Sequence, residues 1–169
     1  MGNIGARLAL RALAFEMSFI VYDPYIPESH VTALGGRWLS LDELLGESDF
    51  VTIHCPLNDE TERLIAAREL ALMKPSAYLI NAARGGIIDE QALFEVLRER
   101  NIAGAALDVI ESEPPRKDHP LFNLANVLWT PHLGAVTTEA STRGEWGAAQ
   151  EVIRVLEGKR PKNPVNELS

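Results

Sequence analysis

Residues 1–23 read MGNIGARLALRALAFEMSFIVYD, and the fold is decided by how this stretch is read. Gly2 and Gly5 have the spacing G-x-x-G, the back half of a G-x-G-x-x-G phosphate-binding turn. The first glycine of that motif would precede Met1, as would the strand that leads into it. The pair is therefore either a cut nucleotide site or a chance spacing, and its surroundings favour the first. Gly5–Phe15 has a helical pattern, with Leu8, Ala12 and Phe15 on one stripe beside Ala9 and Leu13. Helix N-termini bind anions through their free N–H groups, and glycine lets a pyrophosphate come close. The apolar run Ser18–Tyr22 then ends in Asp23, 18 residues after Gly5. An acidic residue at about 20 residues accepts the ribose 2′-hydroxyl of NAD and repels the 2′-phosphate of NADP. The alternative for Asp23 is a plain Asp-Pro turn, since Pro24 follows.

The rest of the chain continues the alternation. Strands are expected at Ser18–Tyr22, Phe50–His54, Ala77–Asn81, Ala105–Val109 and Val127–Thr130. Most are nearly continuous apolar runs, the pattern of parallel strands covered on both faces. Ser40-Leu41-Asp42-Glu43 is a capping box that opens a short helix, with Gly46 as its stop. Asp89 caps a helix carrying Ala92, Leu93, Val96 and Leu97 that ends near Asn101. A long helix over roughly Thr138–Glu157 has Ala149, Val152, Ile153 and Leu156 on one face and Gly158 as its stop. This order reads as a doubly wound α/β domain with a parallel, Rossmann-like sheet over residues 1–158. An extended tail follows over residues 159–169. The loop Ile110–Phe122, with Pro114, Pro115 and Pro120, is long and irregular, as functional loops often are.

Bulk composition limits the partners. The chain has 169 residues, enough for a single core, and a net charge of −8. That charge argues against nucleic acid or an anionic membrane surface. No apolar run approaches the roughly 18–20 residues of a membrane span. One cysteine, Cys55, excludes an internal disulfide and suits a reducing cytoplasm.

Four residues gather at the carboxyl ends of successive expected strands, where open α/β sheets bind ligands. Arg84, in INAARGGIIDE, has the fork geometry to hold a substrate carboxylate and polarise a carbonyl, or it is a solvated turn residue. Asp108 is a carboxylate in an apolar strand and needs a partner, either a ligand amide or a helix N-terminus. Glu113 lies in the proline-rich loop, and His132 sits in TPHLGAVT. A carboxylate against an imidazole favours the charged ring, which suits a general acid. Two unrelated surface residues are the alternative. His54 reads as a strand-end residue, and His30 and His119 as loop residues without such company. No metal-ligand spacing is present.

The motifs GNIG, VYDPY, HCPLNDET, INAARGGIIDEQAL, AGAALDVIESEP and TPHLGAVTTEA, in this order, resemble the cofactor domain of the D-isomer-specific 2-hydroxyacid dehydrogenases. The nearest branch is that of phosphoglycerate dehydrogenase and glyoxylate or hydroxypyruvate reductase. The resemblance implies that Asn3 and Ile4 offer backbone N–H groups to the pyrophosphate and that Asp23 binds the adenosine ribose. It implies cofactor contacts at Cys55, Thr61, Ala82, Ala83 and the Arg84 backbone. Asp108 would hold the nicotinamide carboxamide, with Leu133 and Gly134 bordering the ring. Arg84 would bind the carboxylate and carbonyl of a 2-hydroxy or 2-oxo acid, and His132 would donate the proton, held charged by Glu113. NAD would supply the hydride.

Two departures from the family stand out. Glu16 occupies a helix exit where the family usually has glycine, at a strain of about 1 kcal/mol if φ is positive there. The first strand and a substrate domain are also missing. Met1 then falls at the middle position of G-x-G and is expected to have been an internal methionine once, or to be one still in the genome. Loss of that strand is expected to leave Ser18–Tyr22 and Ala77–Asn81 without their shared neighbour. The alternatives to a dehydrogenase are a non-catalytic NAD-binding or interaction module, and a homodimer or other partner that supplies the strand.

Overall fold

The computed structural model describes residues 1–164, so the last five residues of the expected tail lie outside the described residues. It divides into two compact units, residues 1–132 and the described residues from 133 onward.

In the first unit, α1 (Asn3–Ala14) leads to β1 (Ile20–Val21), α2 (Glu28–Thr32) and β2 (Arg37–Trp38). Then come α3 (Leu41–Glu47), β3 (Phe50–Ile53), α4 (Ala67–Leu72), β4 (Tyr78–Asn81), α5 (Glu90–Arg98), β5 (Gly104–Leu107) and β6 (Val127–Trp129). Short 3₁₀ turns occupy Gly85–Ile87 and Pro120–Asn123. All pairings are parallel. β1 pairs with β2, and a separate four-stranded sheet has the order β3-β4-β5-β6. The second unit holds α6 (Thr138–Leu156), N-capped by the Thr137 hydroxyl, which accepts from Ala140 N–H at 3.1 Å. Gly158 follows it at φ 74°. The α/β reading with a parallel, Rossmann-like sheet therefore holds, in two sheet pieces.

The capping signals work as chemistry predicts. Ser40 Oγ accepts from Glu43 N–H while the Glu43 carboxylate accepts from Ser40 N–H, so two orphan donors are satisfied at once. Asp89 accepts from Ala92 N–H at 3.0 Å. Gly46 is not the stop expected of it. Its helix runs one residue further, to Glu47, where Ser48 turns the chain out and its hydroxyl donates to the Leu44 carbonyl at 2.7 Å.

Leu45, Leu70, Leu93 and Leu97, from α3, α4 and α5, meet Val51, Ile53, Leu79, Ala105 and Leu107 beneath the sheet. The other face of these strands carries Phe50, Tyr78 and Leu128, all exposed. Coverage of both faces was expected. Among the described residues β3 and β4 instead alternate between buried and open positions, with their buried positions in the core shared with α3, α4 and α5. The expected α1 and α6 stripes are open too. Ala9 is the buried residue of α1, and α6 buries none among the described residues.

The break in the sheet is also displaced from where it was expected. β4 is flanked by β3 and β5, so its ladder is complete on both sides. The edges of this four-stranded sheet are β3 and β6. Chain order misled the expectation: Phe50–Ile53, not Tyr78–Asn81, has an open side.

Candidate functional site

The half motif sits as a helix start. The first α1 bond runs from Ala6 N–H to the Gly2 carbonyl, so the amides of Asn3, Ile4 and Gly5 have no partner in the helix. A Cβ on Gly5 would lie 3.2 Å from Met1 Cγ and 3.8 Å from His54 Cβ, so it would crowd the Met1 side chain and be in ordinary contact with the chain leaving β3. Asp23 arrives at the same place. One of its oxygens pairs with the Met1 ammonium, and the other accepts from Tyr25 N–H at 2.9 Å. The Asp-Pro turn is thus real, and it leaves the carboxylate beside the start of α1. Glu16 has φ 60°, the left-handed conformation that glycine would accept without strain.

Ring nitrogen Nε2 of His54 lies 3.0 Å from the Thr52 hydroxyl, and burial pushes the imidazole pKa down. Cys55 is half-buried against the core, and burial pushes its thiol up. Thr61 shapes its own loop: its hydroxyl donates to the Pro56 carbonyl at 2.6 Å and accepts from Asn58 N–H at 2.9 Å.

The β4 exit is built by Asn81, a buried residue that sequence reasoning passed over. Its amide donates to the Arg84 carbonyl at 2.9 Å, and its oxygen accepts from Ala83 N–H at 3.0 Å. The turn of Ala82, Ala83 and Arg84 is held from inside, and Arg84 projects outward. Its guanidinium donates to the Ala83 carbonyl at 2.6 Å and forms no ion pair among the described residues. A polar residue at the end of an apolar strand was the available signal, the same one that singled out Asp108.

Asp108 is buried and accepts from the Thr130 hydroxyl, which is neither of the two partners weighed for it. Its carbonyl accepts from His132 N–H at 2.9 Å. His132 is held at φ 55°, a strained turn for a residue with a Cβ. That turn brings Nδ1 to 2.7 Å from Glu113 Oε2, while Glu113 Oε1 accepts from Ile110 N–H at 3.3 Å. The hydrogen bond to His132 is the main cause that holds the Glu113 carboxyl below the usual carboxylate range. Gly85 joins the two exits. A Cβ there would lie 1.9 Å from the Ile110 carbonyl carbon, so the Arg84 turn rests directly on the start of the Glu113 loop.

Leu133 and Gly134 open the second unit, where the Leu133 carbonyl accepts from Val136 N–H at 2.9 Å. His30 lies in α2 rather than a loop. His119 does have company: its Nε2 is 3.2 Å from Glu90 Oε2. Among the described residues no group of three or more His, Cys, Asp or Glu is placed to hold a metal ion. No helix among them is long and apolar enough to cross a membrane.

A parallel sheet with a helix N-terminus, an acidic strand end and a polar rim at one set of carboxyl ends defines a dinucleotide-binding α/β domain. The family described as "D-isomer specific 2-hydroxyacid dehydrogenase, NAD binding domain" matches residues 1–134. The chain belongs to that family, through its NAD-binding domain. It is 46% identical over 167 residues to D-3-phosphoglycerate dehydrogenase of Methanocaldococcus jannaschii, covering 98% of this chain and 32% of that protein. It is 44% identical over 166 residues to glyoxylate reductase of Aeropyrum pernix, covering 98% of this chain and 50% of the other. The crystal structure of the TT0316 protein from Thermus thermophilus superposes with a TM-score of 0.91 at 42% identity, covering 98% of this chain and 51% of that one. The chain thus spans about a third to a half of the length of these relatives.

Proposed function

We propose that residues 1–158 form the cofactor-binding part of an NAD-dependent oxidoreductase that interconverts a 2-hydroxy acid and a 2-oxo acid. The observation that carries this reading is the Glu113–His132 pair, 2.7 Å apart on the rim that also bears Arg84. The residues present suit the cofactor. Asn3, Ile4 and Gly5 offer amides with no partner in the helix to a pyrophosphate, Gly2 leaves the approach open, and Asp23 stands where a ribose hydroxyl would be bound. When bound, NADH supplies the hydride that reduces the carbonyl carbon. The residues around it prepare that carbonyl. Arg84 receives the carboxylate and draws electron density toward the carbonyl oxygen. His132 gives its proton to that oxygen, and the Glu113 carboxylate steadies the charged ring. In the reverse direction His132 takes the proton back. Asp108 is assigned to the nicotinamide carboxamide. Cys55, Thr61, Ala82, Ala83, Leu133 and Gly134 are assigned to the walls of the cofactor site.

Titration of the chain with NAD tests the binding half: saturable binding that Asp23→Ala weakens supports it, and no binding removes it. Turnover is tested in a polypeptide extended upstream of Met1 to the length of its relatives, with NADH and glyoxylate, hydroxypyruvate or 3-phosphohydroxypyruvate. Loss of activity in Arg84→Ala is expected. No reduction of any of the three, with Arg84→Ala unchanged, overturns the reading.

The unpaired β3 edge and the open sheet face favour a second reading, in which the 169-residue chain alone is a non-catalytic NAD-binding module. A strand from a second copy or another partner would complete the sheet. Turnover by the isolated chain removes this reading, and a monomer that stays folded on dilution removes the added strand. Small 2-hydroxy and 2-oxo acids are the proposed substrates, and the cytoplasm the proposed compartment.

A further inference from the structure

The Glu113–His132 pair depends on a loop with no regular structure of its own, and that loop is fastened from outside by a residue the reaction does not use. Glu90 is the first residue of α5. Its Oε1 accepts from Glu111 N–H at 2.6 Å, at the near end of the loop. Its Oε2 lies 3.2 Å from His119 Nε2, at the far end. Both side chains are mostly buried, at 17% and 16% exposure. The His119 ring packs on Phe122, with centroids 5.2 Å apart, and its Nδ1 is buried without a partner among the described residues. The contact with Glu90 is thus the hydrogen bond that orients this ring. Between the two anchors lie Glu113, Pro114 and Pro115.

We propose that Glu90 is a positioning residue: one carboxylate spans both ends of residues 111–119 and so fixes where Glu113 stands against His132. The inference rests on the reading of Glu113 and His132 as the proton-transferring pair. It goes beyond that reading by assigning the control of their geometry to α5. The loop has few other ties. Ile110 N–H reaches Glu113 from within the loop, Gly85 supports Ile110 and Glu111 from below, and the Arg116–Asp118 pair is exposed and local. None of these joins the two ends. A carboxylate is suited to the task because its two oxygens accept independently, in directions that a single hydroxyl cannot cover.

The test is the titration midpoint of the Glu113 carboxyl, read by carbon NMR in the 169-residue chain. Glu113 faces His132 and the Ile110 amide, with the Asp108 charge nearby, and the bond to His132 keeps its midpoint low. Glu90→Ala opens both anchors and is expected to raise the midpoint, at least about threefold in acid concentration. Glu90→Gln retains an oxygen for Glu111 N–H and an amide that can donate to His119 Nε2, so most of the wild-type midpoint is expected to return. A folded Glu90→Ala chain with an unmoved midpoint overturns the proposal, as do equal shifts in the Ala and Gln variants. Should Glu90→Ala fail to melt cooperatively, His119→Phe opens the far anchor alone and keeps the ring packing. A raised midpoint there supports the proposal and an unchanged one overturns it. Failure of the oxidoreductase reading is distinguishable: turnover would be absent in the extended polypeptide while the Glu113 midpoint still answered to Glu90.

Discussion

The two sheet pieces of the first unit are built from the same kind of sequence and are secured very differently. The β3–β6 sheet lies on a continuous core in which Leu45, Leu70, Leu79, Leu93 and Leu97 are essentially removed from water. The β1–β2 pair has two residues per strand, Val31 as its fully buried anchor, and a neighbouring α1 whose Leu8, Leu10, Leu13 and Phe15 remain exposed. Burial of apolar area is the main source of stability, at about 25 cal/mol per Å². The comparison therefore says that the rim bearing Arg84, Asp108, Glu113 and His132 rests on the stable half. Asp23 and the start of α1 rest on the weak half. On the proposed function, the reacting end of the cofactor would meet a preformed surface, and the adenosine end one that opens easily.

The strongest way to break this comparison is to make the same substitution in both halves. Leu79→Ala, at 0% exposure, is expected to cost about 2–5 kcal/mol of unfolding free energy. Leu10→Ala, at 53% exposure on α1, should stay within about 0.5 kcal/mol. Urea denaturation measures both. Comparable losses would mean that α1 is buried in solution and that the halves are not unequal.

Next in size is Gly85→Ala. The added methyl would overlap the Ile110 carbonyl and the Glu111 amide nitrogen, and backbone on both sides has to move. Overpacking of this kind costs about 1–3 kcal/mol. The substitution also separates the Arg84 turn from the Glu113 loop. The expected signature is therefore a lower melting temperature together with a raised Glu113 midpoint. A destabilised chain with the Glu113 midpoint intact would show that the two strand exits are independent.

Why some of this was legible and some was not follows from the range of the forces. Capping is local, so Ser40 with Glu43, Asp89 and Gly158 could be read from neighbours in sequence. Apolar runs located the strands because burial of the inner face constrains alternate positions. Arg37–Trp38 gave no such run. The pairing that makes it a strand comes from Ile20 and Val21, with Gly36 pressed under the Phe19 ring. The open side was assigned to Tyr78–Asn81 rather than Phe50–Ile53 because sheet order is a property of crossovers, not of composition. At the site, Glu113 and His132 were singled out by their strand ends. The Thr130 and Glu90 contacts were missed because each acts across the fold, on a backbone or hydroxyl group that carries no mark in the sequence; Asn81 was passed over although it acts locally, on Ala83 and Arg84.

A smaller effect is the pH dependence of the stable half. The Glu113 carboxyl is held below the usual carboxylate range chiefly by its bond to His132. A depressed folded-state value means that the stabilisation is present above the ordinary carboxylate range and is lost as pH falls through the folded value. Both side chains are more than a third exposed, so solvent screening keeps the contribution small. Glu113→Gln should flatten this part of the acid limb in chemical denaturation at stepped pH. An unchanged limb would mean that the pair adds nothing to stability and serves only its geometry.

The smallest expected effect sharpens the comparison from the weak side. Glu16 adopts φ 60° between α1 and β1, a conformation that costs an ordinary L-residue about 1–2 kcal/mol. Glycine removes that cost but adds unfolded-state freedom worth about 0.4–1 kcal/mol in the opposite direction. Glu16→Gly should therefore stabilise by about 0.8 kcal/mol, the difference between the two midpoints. Where that gain appears is informative. If the β1–β2 half opens on its own, slower hydrogen exchange should be confined to the amides that close that pair, such as those of Arg37 and Leu39. If the two halves unfold together, the amides of β4 will slow by the same factor, and the inequality between the sheets is one of packing alone.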